Sequence, residues 1–501
     1  MTIDAIAAGM AEAPAIAAPE RAALTHGELR RLMRRTADGL NRLGLGRGDR
    51  IALVLPNGAE MATAFLAVAA TATAAPLNPA YREDELNFYL TDLRAKAVLI
   101  AKDESGSALR IAERLGIVVL RLVGDEGGPA GSFTIEGPEV GPAARPGPAK
   151  AEDIALLLHT SGTTSRPKLV PLSHANLAAS AANIGGTLGL SSGDRCLNIM
   201  PLFHIHGLVA AVIASLAAGG SVFCTPGFNV LLFYHWLDEA RPTWYTAVPT
   251  MHQALLARAA RNAEAVSTSR LRFIRSSSAS LPLRVMAELE ETFRCPVIES
   301  YGMTEAAHQM TSNPLPPRER KAGSVGLAAG PEVAIMTDDG RLLPPGAVGE
   351  IVIRGENVTS GYENNPDANR DAFAYGWFHT GDQGTMGARG YLRVTGRLKE
   401  MINRGGEKIS PREVDEVLMD HPAIAQVVTF AMPHEKLGEE VAAAVVLREG
   451  GEATERGLRD FAATRLAGFK VPRRIIILDE IPKGATGKLQ RIGLASKLDF
   501  G

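Results

Sequence analysis

The sequence predicts an α/β protein. A large N-terminal domain of parallel-sheet αβ subdomains carries a β-rich subdomain, and a small α+β domain follows it. Three observations predict this. Short apolar runs alternate with helical stretches through the first part of the chain, strands separated only by turns follow from Glu332 to Arg354, and the pattern changes near Arg397. Strand–helix alternation favours parallel sheets, because a parallel crossover needs an intervening element to cover the sheet face.

In chain order, Glu28 to Leu43 carries apolar or small residues at helical spacing and stops at Gly44. Ile51–Leu55 follows as a buried strand, and Met61 to Ala75, rich in Ala and Thr, is predicted to be a buried helix stopped by Pro76. Ala97–Ala101, Ile154–Leu158 and Ser221–Cys224 are further predicted strands, while Gly124 to Lys150, rich in Gly, Pro and Ala, is predicted to be a surface connection. Asp338-Asp339-Gly340 and Pro344-Pro345-Gly346 supply the turns of the β-rich part. Beyond Arg397, predicted helices Pro411–Asp420 and Thr454–Leu466 flank the strands Val427–Ala431 and Val441–Leu447. There are no internal repeats.

At 501 residues the chain exceeds one ordinary domain and is long enough to bury a large core. A net charge of −2 argues against nucleic-acid binding through bulk positive charge and against an acidic disordered chain. Cys196, Cys224 and Cys295 stand far apart, so neither a zinc pattern nor a disulfide framework is expected. No basic residue precedes Arg21, which disfavours a secretory leader, and Met61–Ala75 is too short and polar to span a bilayer. The C-terminal Lys497-Leu-Asp-Phe-Gly501 matches no common retention or peroxisomal address. A cytoplasmic protein with no membrane or nucleic-acid partner, monomeric or homodimeric, is the expectation. From Arg465 to Lys497 eight basic residues face two acidic ones, a local excess in a neutral chain.

The most informative stretch is Leu158-His-Thr160-Ser161-Gly162-Thr163-Thr164-Ser165-Arg-Pro-Lys168. Hydroxyls and backbone N–H groups in such a loop can wrap phosphate oxygens, and the lysine adds a point charge. Its glycine spacing is not that of a P-loop, and Gly44-Leu-Gly46-Arg-Gly48 is not a dinucleotide fingerprint.

Thr160–Lys168 resembles the signature of the adenylate-forming superfamily of acyl-CoA synthetases, luciferases and peptide-synthetase adenylation domains. Tyr301-Gly-Met-Thr-Glu305, Gly376-Trp-Phe-His-Thr-Gly-Asp382, Gly396-Arg397-Leu-Lys399-Glu and Gly484-Ala-Thr-Gly-Lys488 match its further motifs in order. Ser165 and Leu169 stand where the family usually has glycines. The resemblance implies an AMP-binding domain over 1–396, a hinge over 397–400 and a mobile domain over 401–501. It implies ATP and CoA as co-substrates, with Mg²⁺.

Attack of a carboxylate on the ATP α-phosphate brings two anions together in line, so positioning and charge neutralisation dominate such catalysis. By resemblance, Lys488 bridges carboxylate and α-phosphate, Glu305 holds Mg²⁺ with Thr304 beside it, Asp382 accepts from the ribose hydroxyls, and Arg397 donates to ribose or phosphate. The same resemblance places Ser278, Ala279, Ser300, Tyr301, Gly302 and Met303 around the nucleotide. Lys399 matches the hinge position. Gly405 and Gly406 belong to the thioester-forming face, and the charges of Arg465, Lys470, Arg473 and Arg474 could meet the phosphates of CoA.

The acid pocket is unusually polar for the superfamily. Pro201-Leu-Phe-His204-Ile-His206, Arg275-Ser-Ser-Ser278-Ala-Ser280 and Glu305-Ala-Ala-His308 supply imidazoles and hydroxyls. An adjacent anion would favour charged imidazoles, which suits a small acid with a second carboxylate. Trp244–Thr250, Arg272–Ser280, Ser312–Pro316 and Asn403–Pro411 are similar to the oxalate–CoA ligases of plants and fungi. That likeness implies that His206, Ser278 and His308 hold the acid. Malonate-activating relatives place an arginine shortly after Val-Pro-Thr, where this chain has Ala254. The alternatives are a ligase for malonate or for a monocarboxylic or aromatic acid, and a non-catalytic adenylate-binding protein.

Overall fold

The computed structural model describes residues 2–139, 141–160, 167–484 and 488–498. Among these the strands form four sheets. In the nine-stranded sheet the order is Leu327–Ala328, His308–Ser312, Val297–Met303, Phe273–Ser276, Trp244–Ala247, Arg195–Asn198, Ser221–Cys224, Pro14–Ala18 and Arg21–Thr25. Its central strands run parallel and its two ends are antiparallel. In the seven-stranded sheet, Arg50–Val54 lies between Ala97–Ala101 and Thr73–Pro76, with Ile154–His159 and Leu169–Ser173 at one edge. Glu332–Met336, Val348–Arg354, Phe378–Met386 and Leu392–Arg397 make an antiparallel sheet, as the turn-separated pattern predicted.

Local chemistry sets the helix starts. Thr25 caps His26–Arg42 through a capping box with Glu28, and Ser173 caps His174–Leu188 through Asn176. The second helix ends on Gly189 in the left-handed region. The main core lies between the two large sheets, where Ile16, Leu53, Leu156 and Phe273 meet the helices Ala59–Ala69 and His174–Leu188 and the turns that begin at His206. Phe233, Trp236, Tyr245 and Ile274 build a second core on the other face of the nine-stranded sheet.

Two expectations are corrected. The helix predicted over Met61–Ala75 ends at Ala69, and Thr73–Pro76 is a parallel strand paired with Arg50–Val54. Both elements are buried on every side, so no polar–apolar alternation separates them in the sequence. Within Gly124–Lys150, Phe133–Glu136 adds an antiparallel edge to Val118–Gly124.

The chain from Ile402 onward builds its own sheet, with Ile424–His434, Gly438–Leu447 and Arg474–Ile477 as its larger strands. Its apolar clusters contain no residue from the preceding part of the chain. What joins the two parts is polar: Ser410 Oγ donates to Thr395 O (2.5 Å), Gln253 Nε2 to Ala425 O (3.0 Å), and Arg448 and Arg393 pair with Glu288 (3.5 Å) and Glu416 (3.2 Å). A single 3₁₀ turn, Leu398–Glu400, links them.

Candidate active site

Parallel strands deliver their carboxyl ends to one edge of a sheet, and the site lies there. Trp244–Ala247, Phe273–Ser276 and Val297–Met303 end side by side and bring Thr246, Ser278 and Tyr301 together. Gly302 is required by close approach, since a Cβ there would stand 1.5 Å from the carbonyl oxygen of His308. Ser278, Ala307 and His308 sit at φ +72°, +47° and +97°, non-glycine residues held in the left-handed region by the surrounding fold.

Thr160 N donates to Lys168 O (2.9 Å) and Lys168 N to Thr160 Oγ1 (3.2 Å), which pairs the two residues that flank the hydroxyl-rich stretch. Ser161, Gly162, Thr163 and Thr164 lie outside the described residues. Lys168 Nζ stands 4.2 Å from the Tyr362 ring centre, and the Tyr362 hydroxyl donates to Glu305 Oε1 (2.8 Å). Burial raises the Glu305 carboxyl above its ordinary value, opposed by hydrogen bonds and by Arg397 and Lys168. Thr304 opens the 3₁₀ turn that carries Glu305, and Met303 precedes it at the strand end.

Both oxygens of Asp382 are engaged. Tyr301 Oη donates to Oδ2 (2.6 Å) and Arg397 Nε to Oδ1 (2.9 Å). The turn before it is braced by Glu350, which accepts from Gly381 N (2.9 Å) and pairs with His379 Nδ1 (2.8 Å). Ser300 is buried against Ser276 O, whereas Ala279 is exposed at the rim.

A π-helical segment begins at His206, a wider turn that recurs at functional sites. The His206 ring is pinned by Ser278 Oγ (3.1 Å from Nδ1) and Thr246 Oγ1 (2.6 Å from Nε2), with the His308 ring centre 4.9 Å away. Without an anion beside them, the imidazoles are not favoured in the charged form. Burial holds His206 and His308 well below the ordinary histidine value, helped by Arg275 and Lys488, and pushes His204 down to about 3. The rings are neutral hydrogen-bonding groups, and the nearby positive charges belong to Arg275 and Lys488.

Sequence reasoning missed Arg275 as a charge, treating it only as the head of a serine-rich run. Its one signal was an arginine following Phe273-Ile274 inside an apolar strand. It is fully buried.

Lys488 is brought to the same place although it comes from the far end of the chain. Burial pushes its ammonium down to about 8; Arg397 adds to that, while Asp382 and Glu305 oppose it. Its charge also bears on His204, His206 and His308. The lysine therefore lies within electrostatic range of Asp382 and Glu305 and of His204, His206 and His308.

The residues expected at CoA are not all free. Lys470 is tied to Glu413 (2.7 Å) and Arg474 pairs with Glu455 (3.2 Å), while Arg465 lies 3.9 Å over the Phe461 ring. Arg473 is exposed, and Gly405 and Gly406 form the two-residue hairpin between Ile402–Arg404 and Glu407–Ile409 at φ +59° and +97°. Lys399 is exposed on the linking turn.

Asp382, Glu305 and Lys488 converge here, and the relatives of the chain give the class, AMP-forming acid–CoA ligases. The family of AMP-binding enzymes matches residues 3–363 and its C-terminal domain matches 413–488. The chain belongs to that family, whose CoA ligases take ATP and CoA as co-substrates. It is 47% identical over 474 residues to an oxalate–CoA ligase of Arabidopsis thaliana, covering 93% of this chain and 92% of that one. It is 37% identical to a sulfoacetate–CoA ligase of Cupriavidus necator, covering 90% and 88%. The crystal structure of ATP-bound MatB from Rhodopseudomonas palustris superposes with a TM-score of 0.88 at 30% identity, over 99% of each chain. Among the described residues, no helix is long and apolar enough to cross a membrane.

Proposed function

We propose that this chain is an ATP-dependent, AMP-forming oxalate–CoA ligase. One observation carries the reading: a polar acid pocket of His206, Ser278 and His308 lies within the electrostatic reach of Lys488, with a buried guanidinium beside it. A pocket for a long or aromatic acid gains from apolar lining, whereas this one places donors and positive charge where a second anionic group would lie. The likeness to ligases named for oxalate and for sulfoacetate, both short acids with a second acidic group, supports the same chemistry. Malonate finds no cation at Ala254.

In the first half-reaction a carboxylate oxygen of oxalate attacks the α-phosphorus of ATP, and the bond to pyrophosphate breaks. Lys488 lies between the two anions and lowers their repulsion, Asp382 and Arg397 hold the ribose, and the neck Thr160–Lys168 positions the phosphate loop. Each oxygen of Asp382 has a second lone pair for a ribose hydroxyl beside its present donor. Mg²⁺ typically takes one or two carboxylates and completes its shell with substrate phosphates and water. Glu305 suits that role, as Tyr362 occupies Oε1 only, and the ion would neutralise phosphate charge there. In the second half-reaction the CoA sulfur attacks the acyl carbon and AMP leaves. We assign Lys399 as the hinge between 1–396 and 401–501, Gly405, Gly406 and Arg473 to the CoA side, and the cytoplasm as the compartment.

CoA-dependent pyrophosphate release over oxalate, malonate, sulfoacetate, acetate, butyrate and benzoate tests this. Oxalate should give the highest kcat/KM; a higher value for a monocarboxylate refutes the reading, and one for sulfoacetate or malonate redirects it to that acid.

A further inference from the structure

Arg275 has an uncommon environment. Its side chain leaves the nine-stranded sheet on the face opposite that of its neighbour Ile274 and is fully buried. Nη2 reaches Gln309 Oε1 at 3.2 Å and His308 Nδ1 at 3.5 Å, the outer limit of a hydrogen bond. Nε and Nη1 are buried with no hydrogen-bond partner among the described residues. No carboxylate pairs with it there either, and the titratable group that bears on it is the Cys196 thiol, itself held neutral by burial. A buried guanidinium without a counter-ion is expensive, and an apolar side chain of similar volume would be the more stable choice.

The acid supplies what is missing. When one carboxylate of oxalate joins AMP, the other remains an anion close to the phosphates and enters a pocket of neutral imidazoles. A neutral ring solvates an anion through one N–H but brings no charge. His308 Nδ1 faces the guanidinium, so it is the acceptor nitrogen and the hydrogen resides on Nε2.

We propose that Arg275 is the positioning residue that makes the site select an acid with a second anionic group: it fixes His308 with its hydrogen on Nε2 and provides, behind that ring, the positive charge the second carboxylate requires. The inference rests on the short-diacid reading above. It assigns the discrimination to a residue on the central strand, one layer behind the groups that touch the acid.

Two variants test it, with oxalate and butyrate as the acids and the ratio of their kcat/KM values as the readout. Arg275→Gln keeps a donor toward His308 and Gln309 but removes the charge. Its oxalate kcat/KM should fall on the order of 10–100-fold, while butyrate kcat/KM and the KM for ATP stay within about threefold. Arg275→Lys keeps a charge but makes it titratable at a buried position faced by His308, His206, Gln309 and Cys196. Burial pushes the Arg275 guanidinium down to about 9, so the comparison runs from pH 6 to 8: the oxalate/butyrate ratio of Arg275→Lys should match the wild type at pH 6 and fall below it as pH rises toward 8. Lys488 titrates in both proteins, so the wild-type profile is its control. Should Arg275→Gln fail to fold, as judged by its melting temperature and ATP binding, the pH profile of Arg275→Lys decides alone. Equal losses on both acids, or a pH-independent ratio in Arg275→Lys, overturn the proposal. A wild type that prefers butyrate to oxalate instead defeats the diacid reading itself, whatever Arg275 does.

Discussion

Lys488 titrates where an enzymologist can see it. Burial brings its ammonium down to about 8, with Arg397 adding to the effect and Asp382 and Glu305 opposing it. Adenylation needs the protonated form, since only the ammonium lowers the repulsion between carboxylate and α-phosphate. About nine-tenths of the lysine is protonated at pH 7 and about one-tenth at pH 9. Free-enzyme titration appears in kcat/KM, so kcat/KM for ATP should be level to about pH 8 and then drop roughly tenfold per unit. Bound triphosphate favours the ammonium, so kcat should break at higher pH. Lys488→Arg, weakened by its different geometry, should lose the break because a guanidinium stays charged. Lys488→Ala should lose about 10²–10³ in adenylation rate and leave thioester formation from supplied acyl-adenylate largely intact. Pyrophosphate release measured from pH 6.5 to 9.5 checks all of this. A profile flat to pH 9.5, the same break in Lys488→Arg, or equal losses in both half-reactions would refute the assignment.

Asp382→Asn should raise the KM for ATP about 10–150-fold by weakening charge-assisted ribose bonds worth about 1.5–3 kcal/mol. Its melting temperature should fall modestly too, because Tyr301 and Arg397 lean on the same carboxylate; an unchanged ATP KM would remove Asp382 from the ribose site. Gly302→Ala should destabilise by at least about 1–3 kcal/mol, because the new methyl would stand 1.5 Å from the His308 carbonyl; a urea midpoint equal to wild type would contradict that contact. Stability should decline as pH falls. His26, His159, His204, His206, His252 and His308 are all held below their ordinary value by burial, so the unfolded chain takes up more protons below pH 6.5. Each contributes stability that is present above about 6.5 and is lost at up to ~1.4 kcal/mol per pH unit below it. Melting temperatures equal at pH 7 and pH 5 would count against this.

Much of this was legible in the sequence, for identifiable reasons. Tyr301-Gly-Met-Thr-Glu305 and the Thr-Gly-Asp382 turn are local, so residue order carries their geometry, and the fold brings Tyr301 onto Asp382 and Tyr362 onto Glu305. The strands around Glu332–Arg354 were legible from their turns. Thr73–Pro76 was not, because an element buried on both faces shows no alternation. The ligand-free protonation of His206 and His308 was not legible for a different reason: it depends first on burial that no local pattern records, and then on Arg275 and Lys488, distant in sequence. Lys470 and Arg474 were assigned by charge alone, and only the fold reveals Glu413 and Glu455 beside them.

The polar seam between residues 401 onward and the rest of the chain bears on how such a machine cycles. Separating two surfaces that share an apolar core exposes that core to water, at about 25 cal/mol for each Å². Here the apolar clusters stop at the boundary, and the contacts across it are carbonyl and ion-pair contacts that water can replace. Separating the two parts would therefore expose no shared apolar cluster. The ion pairs Arg448–Glu288 and Arg393–Glu416 make the seam responsive to ionic strength, as surface pairs are screened within a Debye length of about 8 Å in physiological salt.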